Sequence, residues 1–231
     1  MAYNKIGIIG AMDIEVDALK DALTEKSVTR VSGIDFYSGK LLNKDVVIAK
    51  CGVGKVFSAV TAEIMVLKFN VDAIINTGVA GSISTLKIGD LAISSSVVQY
   101  DMDTTAIGDP LGLISGINMI YFLADEVLST KAISVANGLG INTELGVIAS
   151  GDKFVSDKKI KKHVLDNFGA LCVEMEGGAI GHVAYINSVP FVVIRSISDD
   201  GDSSHAVEFT TFAKTSAEVS VKVIKGLLQV I

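Results

Sequence analysis

Short runs of apolar residues alternate along this chain with longer segments in which apolar residues recur every three or four positions. The short runs have the length of buried strands, and they lie at residues 5–10, 73–76, 91–99, 145–150, 171–173 and 191–197. The longer segments predict helices, which lie from about residue 14 and at about 55–69, 119–139, 157–167, 179–187 and 208–228. Strands that alternate with helices indicate an α/β fold with a mainly parallel sheet covered on both faces.

Two further apolar runs, 36–42 and 46–50, flank Asn43-Lys44 and predict a β-hairpin. The segment from residue 100 to about 117 shows neither period and is predicted to be irregular. No linker, low-complexity block or short repeat divides the chain. We therefore expect residues 1–231 to form a single domain, a size that one α/β core can reach.

The composition limits the kinds of partner. Hydrophobic residues make up 49% of the 231 residues and charged residues 20%, with a formal net charge of −6 and no long run of one sign. This argues against a nucleic-acid surface, which needs a basic stripe, and no apolar run reaches the ~20 residues of a membrane helix. The first residues lack the pattern of a signal peptide, and Cys51 and Cys172 lie in separate apolar runs. We expect a cytoplasmic protein that binds a small molecule, and neither nucleic acid nor membrane.

Ligands of parallel sheets bind beyond the carboxyl ends of the strands. The segments that follow the predicted strands are rich in glycine and in carboxylates and contain no histidine, and they lie at 10–15, 51–54, 77–81, 151–154, 174–176 and 198–200. Glycine lets the backbone approach a ligand closely. The sequence therefore predicts an acidic site at one edge of the sheet.

Several common kinds of site are excluded by their spacing. The glycine turns match neither the dinucleotide fingerprint nor the phosphate-binding loop, so we predict no cofactor. His163, His182 and His205 are widely separated and match no zinc pattern, so we predict no metal. No nucleophile elbow of the type G-x-S-x-G is present.

The carboxylates have two interpretations each. Glu174 and Glu176 flank Met175 directly after an apolar run and share one face in extended geometry. Two acids at a buried strand end indicate binding, although acids are also favoured at the start of a helix. Glu15 is either a functional acid or a first-turn acid of a helix, and Asp199 is either functional or a simple N-cap.

Six strings resemble the bacterial 5′-methylthioadenosine/S-adenosylhomocysteine nucleosidases, in the same order along the chain. They are IGIIGAMDIE at 6–15, VGK at 53–55, IINTGVAG at 74–81, SGDKF at 150–154, VEMEGGAI at 173–180 and VPFVVIRSISD at 189–199. That family has the nucleoside phosphorylase fold, a three-layer α/β/α sandwich with a central twisted, mostly parallel mixed sheet. The resemblance implies this fold and a homodimer.

The resemblance also implies a chemistry: water removes adenine from 5′-methylthioadenosine and S-adenosylhomocysteine, with 5′-deoxyadenosine as a further candidate substrate. By this similarity Glu15 is the general base that activates water, and Asp199 is the general acid that protonates adenine N7. Glu176 binds the ribose 2′- and 3′-hydroxyls, Met175 packs under the sugar, and Arg195 steadies the acids. Departure of the base builds positive charge on the sugar, which carboxylates stabilise without a metal.

Further residues are carried over as substrate contacts. Phe154 would stack on adenine, and Val155 would offer its backbone N–H and C=O to the Watson–Crick edge. Gly81 would approach the ligand through its backbone. Ser198 and Phe209 complete this set, with Phe209 closing over the base.

The pocket for the 5′-thio group is the region where the chain departs from the family. The similarity assigns Met12 and Val53 to it, together with Ile107 from the partner subunit. Val79 stands where members often have serine, and Ile107 and Asp109 stand where aromatic residues are common. The preferred 5′ substituent is therefore left open, whereas the adenine and ribose residues match.

Three other functions are weighed against this one. A purine nucleoside phosphorylase would need basic residues around its phosphate, and the arginines of the chain are Arg30 and Arg195. A 6-amino-6-deoxyfutalosine nucleosidase would share the acids and differ in the 5′ pocket. A non-catalytic nucleoside-binding protein would not need both Glu15 and Asp199.

Overall fold

The computed structural model describes residues 3–199 and 205–231, with side chains from residue 211 onward in the second range. Within these residues ten strands form one sheet and six α-helices pack against it. The strands are β1 Lys5–Gly10, β2 Thr24–Val31, β3 Ile34–Leu41, β4 Lys44–Lys50, β5 Ala73–Ser82, β6 Leu91–Gln99, β7 Tyr121–Leu123, β8 Thr143–Ser150, β9 Ala170–Glu174 and β10 Phe191–Asp199. The helices are α1 Asp13–Lys20, α2 Lys55–Phe69, α3 Glu126–Gly138, α4 Lys158–Phe168, α5 Gly177–Ile186 and α6 His205–Val230.

Alternate residues of the central strands point to opposite helical layers, as the pleat requires. In β1, Ile6 and Ile8 belong to the apolar cluster formed with α1, α3 and α6, to which Val16 contributes. Ile9 belongs to the cluster on the other face, with α2 and α5, to which Met65 contributes. Both faces of the mixed sheet are covered, and the predicted three-layer α/β/α sandwich is confirmed.

The sheet closes on itself in one part of the molecule. From β5 the pairing runs through β10, β6, β8 and β9, and β9 then pairs antiparallel with β5 again. Gly81 near the end of β5 pairs with Asp199 of β10 on one side and with Val173 of β9 on the other. Ser150 at the end of β8 pairs with Glu174 at the end of β9. The closure gathers the carboxyl ends of four strands in one region.

Two details of the glycine-rich strand ends were not apparent from the sequence. The segment 77–81, predicted to follow a strand, is the second half of β5. In β10 the register with β5 shifts between Ile197 and Asp199, the mark of a β-bulge. A bulge turns a side chain away from its regular direction, and this one lies directly before Asp199.

The predicted hairpin is confirmed as β3 and β4, which are joined through Leu42 and Asn43 with φ of 51° and 66°. The strand β2, which pairs antiparallel with β3, was missed. Its residues are mostly polar and exposed, because it lies at the edge of the sheet. A strand with little buried surface lacks the apolar pattern on which the prediction relied.

The predicted helix at 119–139 is wrong in its first part. Tyr121–Leu123 forms β7, which pairs antiparallel with β6, and α3 begins only at Glu126. The side chain of Asp125 accepts a hydrogen bond from the backbone N–H of Leu128 at 2.9 Å. This N-cap fixes the start of the helix. None of the described helices is both long and apolar enough to cross a membrane.

Candidate active site

A cavity of about 410 Å³ lies where the strand ends gather. This volume suits a small organic ligand. The lining residues combine carboxylates, cationic side chains, apolar side chains and one aromatic ring, and they are Ala11, Met12, Glu15, Val53, Val79, Ala80, Gly81, Lys153, Phe154, Val155, Val173, Glu174, Met175, Glu176, Arg195, Ser198 and Asp199.

Glu15 lies in the first turn of α1 and is held by backbone groups. Its Oε2 accepts hydrogen bonds from the N–H of Ala11 at 2.7 Å and of Met12 at 2.9 Å, and its Oε1 accepts one from Val79 at 3.1 Å. Burial raises the pKa of this carboxyl, against the opposing effects of Arg195 and of the three N–H groups. A buried carboxylate with a raised pKa is suited to accept a proton near neutral pH.

Arg195 lies at the centre of the acidic side of the cavity. Its Nη2 donates to Glu174, to Oε2 of Glu176 at 3.2 Å and to Oδ1 of Asn76 at 2.7 Å. Burial disfavours its charge, but the carboxylates around it keep its pKa above the ordinary value. The charged guanidinium therefore connects β10 to β5, to the end of β9 and to the start of α5.

Glu174 and Glu176 are held differently although one residue separates them. Glu174 accepts hydrogen bonds from Ser150 and from the N–H of Gly177 at 2.8 Å. Glu176 accepts a hydrogen bond at Oε1 from the N–H of Gly54 at 3.0 Å. Burial raises the pKa of Glu176 to about 7, with the Arg195 charge opposing and the Glu174 charge adding to the shift. Both carboxylates line the cavity, and burial favours the protonated form of Glu176 more than it would for an exposed glutamate.

Gly78 in β5 leaves the space that Arg195 and Glu15 occupy. A β-carbon at residue 78 would lie 2.1 Å from Nη1 of Arg195 and 2.5 Å from Oε1 of Glu15. Both contacts are shorter than van der Waals contact allows, so any side chain there would displace a charged group.

Asp199 is the last residue of β10, the strand that also carries Arg195, and it lines the same cavity. Its Oδ2 accepts a hydrogen bond from the hydroxyl of Ser198 at 3.3 Å, and its Oδ1 lies 3.7 Å from Nζ of Lys161. A β-carbon on Gly81 would lie 2.9 Å from Oδ1 of Asp199. Gly81 therefore has to be small for this carboxylate to lie where it does.

Comparison with known proteins agrees with this geometry. The model of the Phosphorylase superfamily matches residues 5–229. A 5′-methylthioadenosine/S-adenosylhomocysteine nucleosidase of Halalkalibacterium halodurans is 39% identical over 97% of both chains. The crystal structure of the Neisseria meningitidis nucleosidase of that name, in complex with methylthio-immucillin-A, is 32% identical with a TM-score of 0.95, over 99% of this chain and 100% of that one. The native structure of Helicobacter pylori futalosine hydrolase is 37% identical with a TM-score of 0.94, over 99% of both chains.

The chain belongs to the 5′-methylthioadenosine/S-adenosylhomocysteine nucleosidase family of the phosphorylase superfamily.

Most residues that the nucleosidase resemblance singles out line this one cavity. They are Met12, Glu15, Val53, Gly81, Phe154, Val155, Met175, Glu176, Arg195, Ser198 and Asp199. Ile107 does not line it; it lies in a short 3₁₀ helix and is 80% exposed. Its assignment concerned the partner subunit and stays a prediction. Phe209 lies in α6, but its side chain is outside the described residues.

Three side chains that contact this site were not named as site residues from the sequence. Asn76 and Ser150 hold Arg195 and Glu174, and they lie in strand segments whose polar residues gave no signal by themselves. Lys161 of α4 approaches Asp199. Its signal was present, because it occupies a position on the apolar face of a predicted helix.

The arrangement is suited to chemistry by carboxylates and a positioned cation. Among the residues that the structure describes, no group of histidine, cysteine and carboxylate side chains is arranged to hold a metal ion. The nucleosidase cavity instead combines a backbone-held carboxylate, a charge-paired carboxylate and a third at a strand end, beside the ring of Phe154.

We expect Arg195→Met to lower the free energy of unfolding by about 3–5 kcal/mol, because it leaves buried carboxylates without their cation. Urea denaturation measures this. The matched control is Arg30→Met, since Arg30 forms an exposed ion pair with Asp35 at 3.1 Å, whose loss costs at most about 1 kcal/mol. Equal losses for both variants would contradict the assigned role of Arg195.

Proposed function

We propose that this protein hydrolyses the N-glycosidic bond of 5′-methylthioadenosine and S-adenosylhomocysteine, which releases adenine and the 5-substituted ribose. The observation that carries this is the convergence of Glu15, Glu176 and Asp199 on one cavity. These residues come from α1, from the start of α5 and from the end of β10. Membership of the nucleosidase family supports the same activity.

In this proposal Glu15 orients and deprotonates the attacking water. Three backbone N–H groups fix its carboxylate, so little reorganisation is needed when the proton arrives. Because burial raises its pKa, Glu15 holds the proton more firmly than an exposed glutamate would. Its negative charge also stabilises the positive charge that develops on the sugar as the base departs.

Asp199 gives its proton to N7 of the departing adenine. The purine would lie between Asp199 and the ring of Phe154, which lines the cavity and is 47% exposed. The backbone of Val155 would meet its Watson–Crick edge. Protonation at N7 makes adenine a better leaving group, so the electron pair of the C1′–N9 bond leaves with the base.

Glu176 would accept hydrogen bonds from the ribose 2′- and 3′-hydroxyls, with Met175 packed under the sugar. The hydrogen bond from Gly54 to Oε1 and the contact with Arg195 orient its carboxylate. Met12 and Val53 would border the 5′ substituent. Gly81 and Ser198 complete the wall near Asp199.

Water is favoured over phosphate as the nucleophile. A phosphorylase needs cations that are available to its anion, but the guanidinium of Arg195 is occupied by Glu174 and Glu176. The carboxylate of Glu15 would also repel phosphate. The competing substrate 6-amino-6-deoxyfutalosine differs at the 5′ end, and it serves as the second substrate in the assay below.

We further propose a homodimer and a cytoplasmic location. Val53, Val56, Phe57 and Val60, at the start of α2, are exposed apolar side chains in one region, and such a patch is characteristic of an interface. Val53 also lines the cavity, so a partner subunit on this patch would border the 5′ pocket. Buried, unpaired Cys51 and Cys172 suit a reducing compartment.

We expect the protein to release adenine from 5′-methylthioadenosine with or without phosphate, and to form methylthioribose rather than its 1-phosphate. Glu15→Gln and Asp199→Asn each remove one proton-transfer group and should lower kcat by about 10²–10⁴-fold. Chromatography of the products and thermal unfolding of the variants measure both points. Formation of the 1-phosphate would identify a phosphorylase, and a preference for 6-amino-6-deoxyfutalosine would reassign the substrate. Full activity of both folded variants would refute the mechanism.

We expect kcat/KM to fall as the pH decreases below about 7, the pKa to which burial raises Glu176. Both Glu15 and Glu176 act as carboxylates, and a raised pKa means that protonation inactivates them at a higher pH than usual. Initial rates across the pH range measure the profile, with thermal unfolding as the control for stability. A rate that stays constant down to about pH 5 would contradict this assignment.

We expect Phe57→Glu to shift the dimer towards monomers, because it buries a charge in the proposed interface. Sedimentation velocity measures the mass. Val28→Glu on the edge strand β2 is the control, since Val28 is 53% exposed and Phe57 is 55% exposed. A monomeric wild type, or equal dissociation by both variants, would exclude this interface.

A further inference from the structure

Helix α4 contains a lysine where its sequence pattern calls for an apolar residue. Its buried positions are Lys161, Val164 and Phe168, which lie on one face of the helix. The neighbouring Lys159 and Lys162 are exposed. Lys161 itself is 7% exposed, and a lysine this buried is rare unless it has charged or polar partners.

The ammonium of Lys161 lies among oxygen atoms at the ends of two strands. Its Nζ is 3.7 Å from Oδ1 of Asp199 and 3.4 Å from the carbonyl oxygen of Ser82. The side chains of Lys161 and Asp199 are 9% and 4% exposed. At this distance, and with both side chains buried, a positive charge on Lys161 interacts strongly with negative charge that develops on Asp199.

Other charged groups around the cavity have different positions or partners. Within the described part of the chain, those that line it are Glu15, Glu174, Glu176, Arg195 and Lys153. Arg195 donates to Glu174 and Glu176, and Lys153 is exposed. Lys161 does not line the cavity and approaches Asp199 from α4, so it can act on Asp199 without contacting the ligand.

We propose that Lys161 is a positioning residue that makes Asp199 an effective acid towards the departing base. This inference rests on the proposed function. As the C1′–N9 bond breaks, its electron pair leaves with adenine, and the proton of Asp199 moves to N7. The oxygen of the attacking water bonds to C1′ and Glu15 takes a proton from that water, so Asp199 ends as a carboxylate and Glu15 as the acid. The positive charge of Lys161 stabilises that carboxylate and so favours the transfer, and its contact with Oδ1 fixes the orientation of the carboxyl group.

The test is the pH dependence of kcat/KM for 5′-methylthioadenosine in the wild type, Lys161→Met and Lys161→Arg. Loss of a nearby positive charge makes a carboxyl hold its proton more tightly. Asp199 has to be protonated to act, so its titration gives the alkaline limb of the profile. We therefore expect the alkaline limb to move to higher pH by about 1 unit or more in Lys161→Met, and to return towards the wild-type position in Lys161→Arg. Lys161→Gln is a second neutral variant, which should behave like Lys161→Met and covers the case in which the latter does not fold.

The control is Lys162→Met, which removes an exposed lysine that pairs with Asp166 on the same helix; it should leave the profile unchanged. A purely structural role for Lys161 would lower the rate at every pH without moving a limb, and that result would overturn the proposal. An equal displacement in Lys161→Met and Lys161→Arg would overturn it as well. The two proposals are distinguishable. If the wild type releases adenine and the neutral variants keep the wild-type pH profile, only the role of Lys161 is refuted.

Discussion

The guanidinium of Arg195 determines how acidic groups coexist in the cavity. Carboxylates this close together and this buried would repel one another and lose their charge. Arg195 donates to Glu174 and Glu176, and its charge also acts on Glu15. Gly78 provides the space for it. This buried cation allows several acids from separate parts of the chain to face a single cavity.

The environments of the acids differ, and their proposed roles follow from these differences. Glu15 is surrounded by backbone N–H groups, which hold it in place. Glu176 is paired with Arg195 and adjoins the loop before α2 through Gly54. Asp199 lies at a β-bulge, beside Ser198 and Lys161. The same functional group is therefore suited to accept a proton, to bind hydroxyls or to donate a proton.

The departures from the nucleosidase family are consistent with this distribution of contacts. Val79 holds Glu15 through its backbone N–H, and this hydrogen bond does not depend on whether the side chain is valine or serine. Asp109 accepts hydrogen bonds from Thr104 and Ser115 within its own loop, so its carboxylate organises that loop. The contact with Glu15 is therefore independent of the first departure, and the second lies in a loop whose residue 109 does not line the cavity.

The sequence by itself determined the α/β class, most of the strands and helices, and the segments that supply the site. Apolar periodicity carries this information, because a buried strand or helix face must be apolar. Glycine and carboxylates after the strands marked the edge where the cavity lies. It did not determine the edge strand β2, because that strand buries little apolar surface. It also did not determine the start of α3, which depends on a single N-cap residue. The closure of β5, β10, β6, β8 and β9 and the position of Lys161 beside Asp199 came only from the tertiary structure. Both depend on pairing and packing between residues far apart in the chain, and a local pattern contains no record of such contacts.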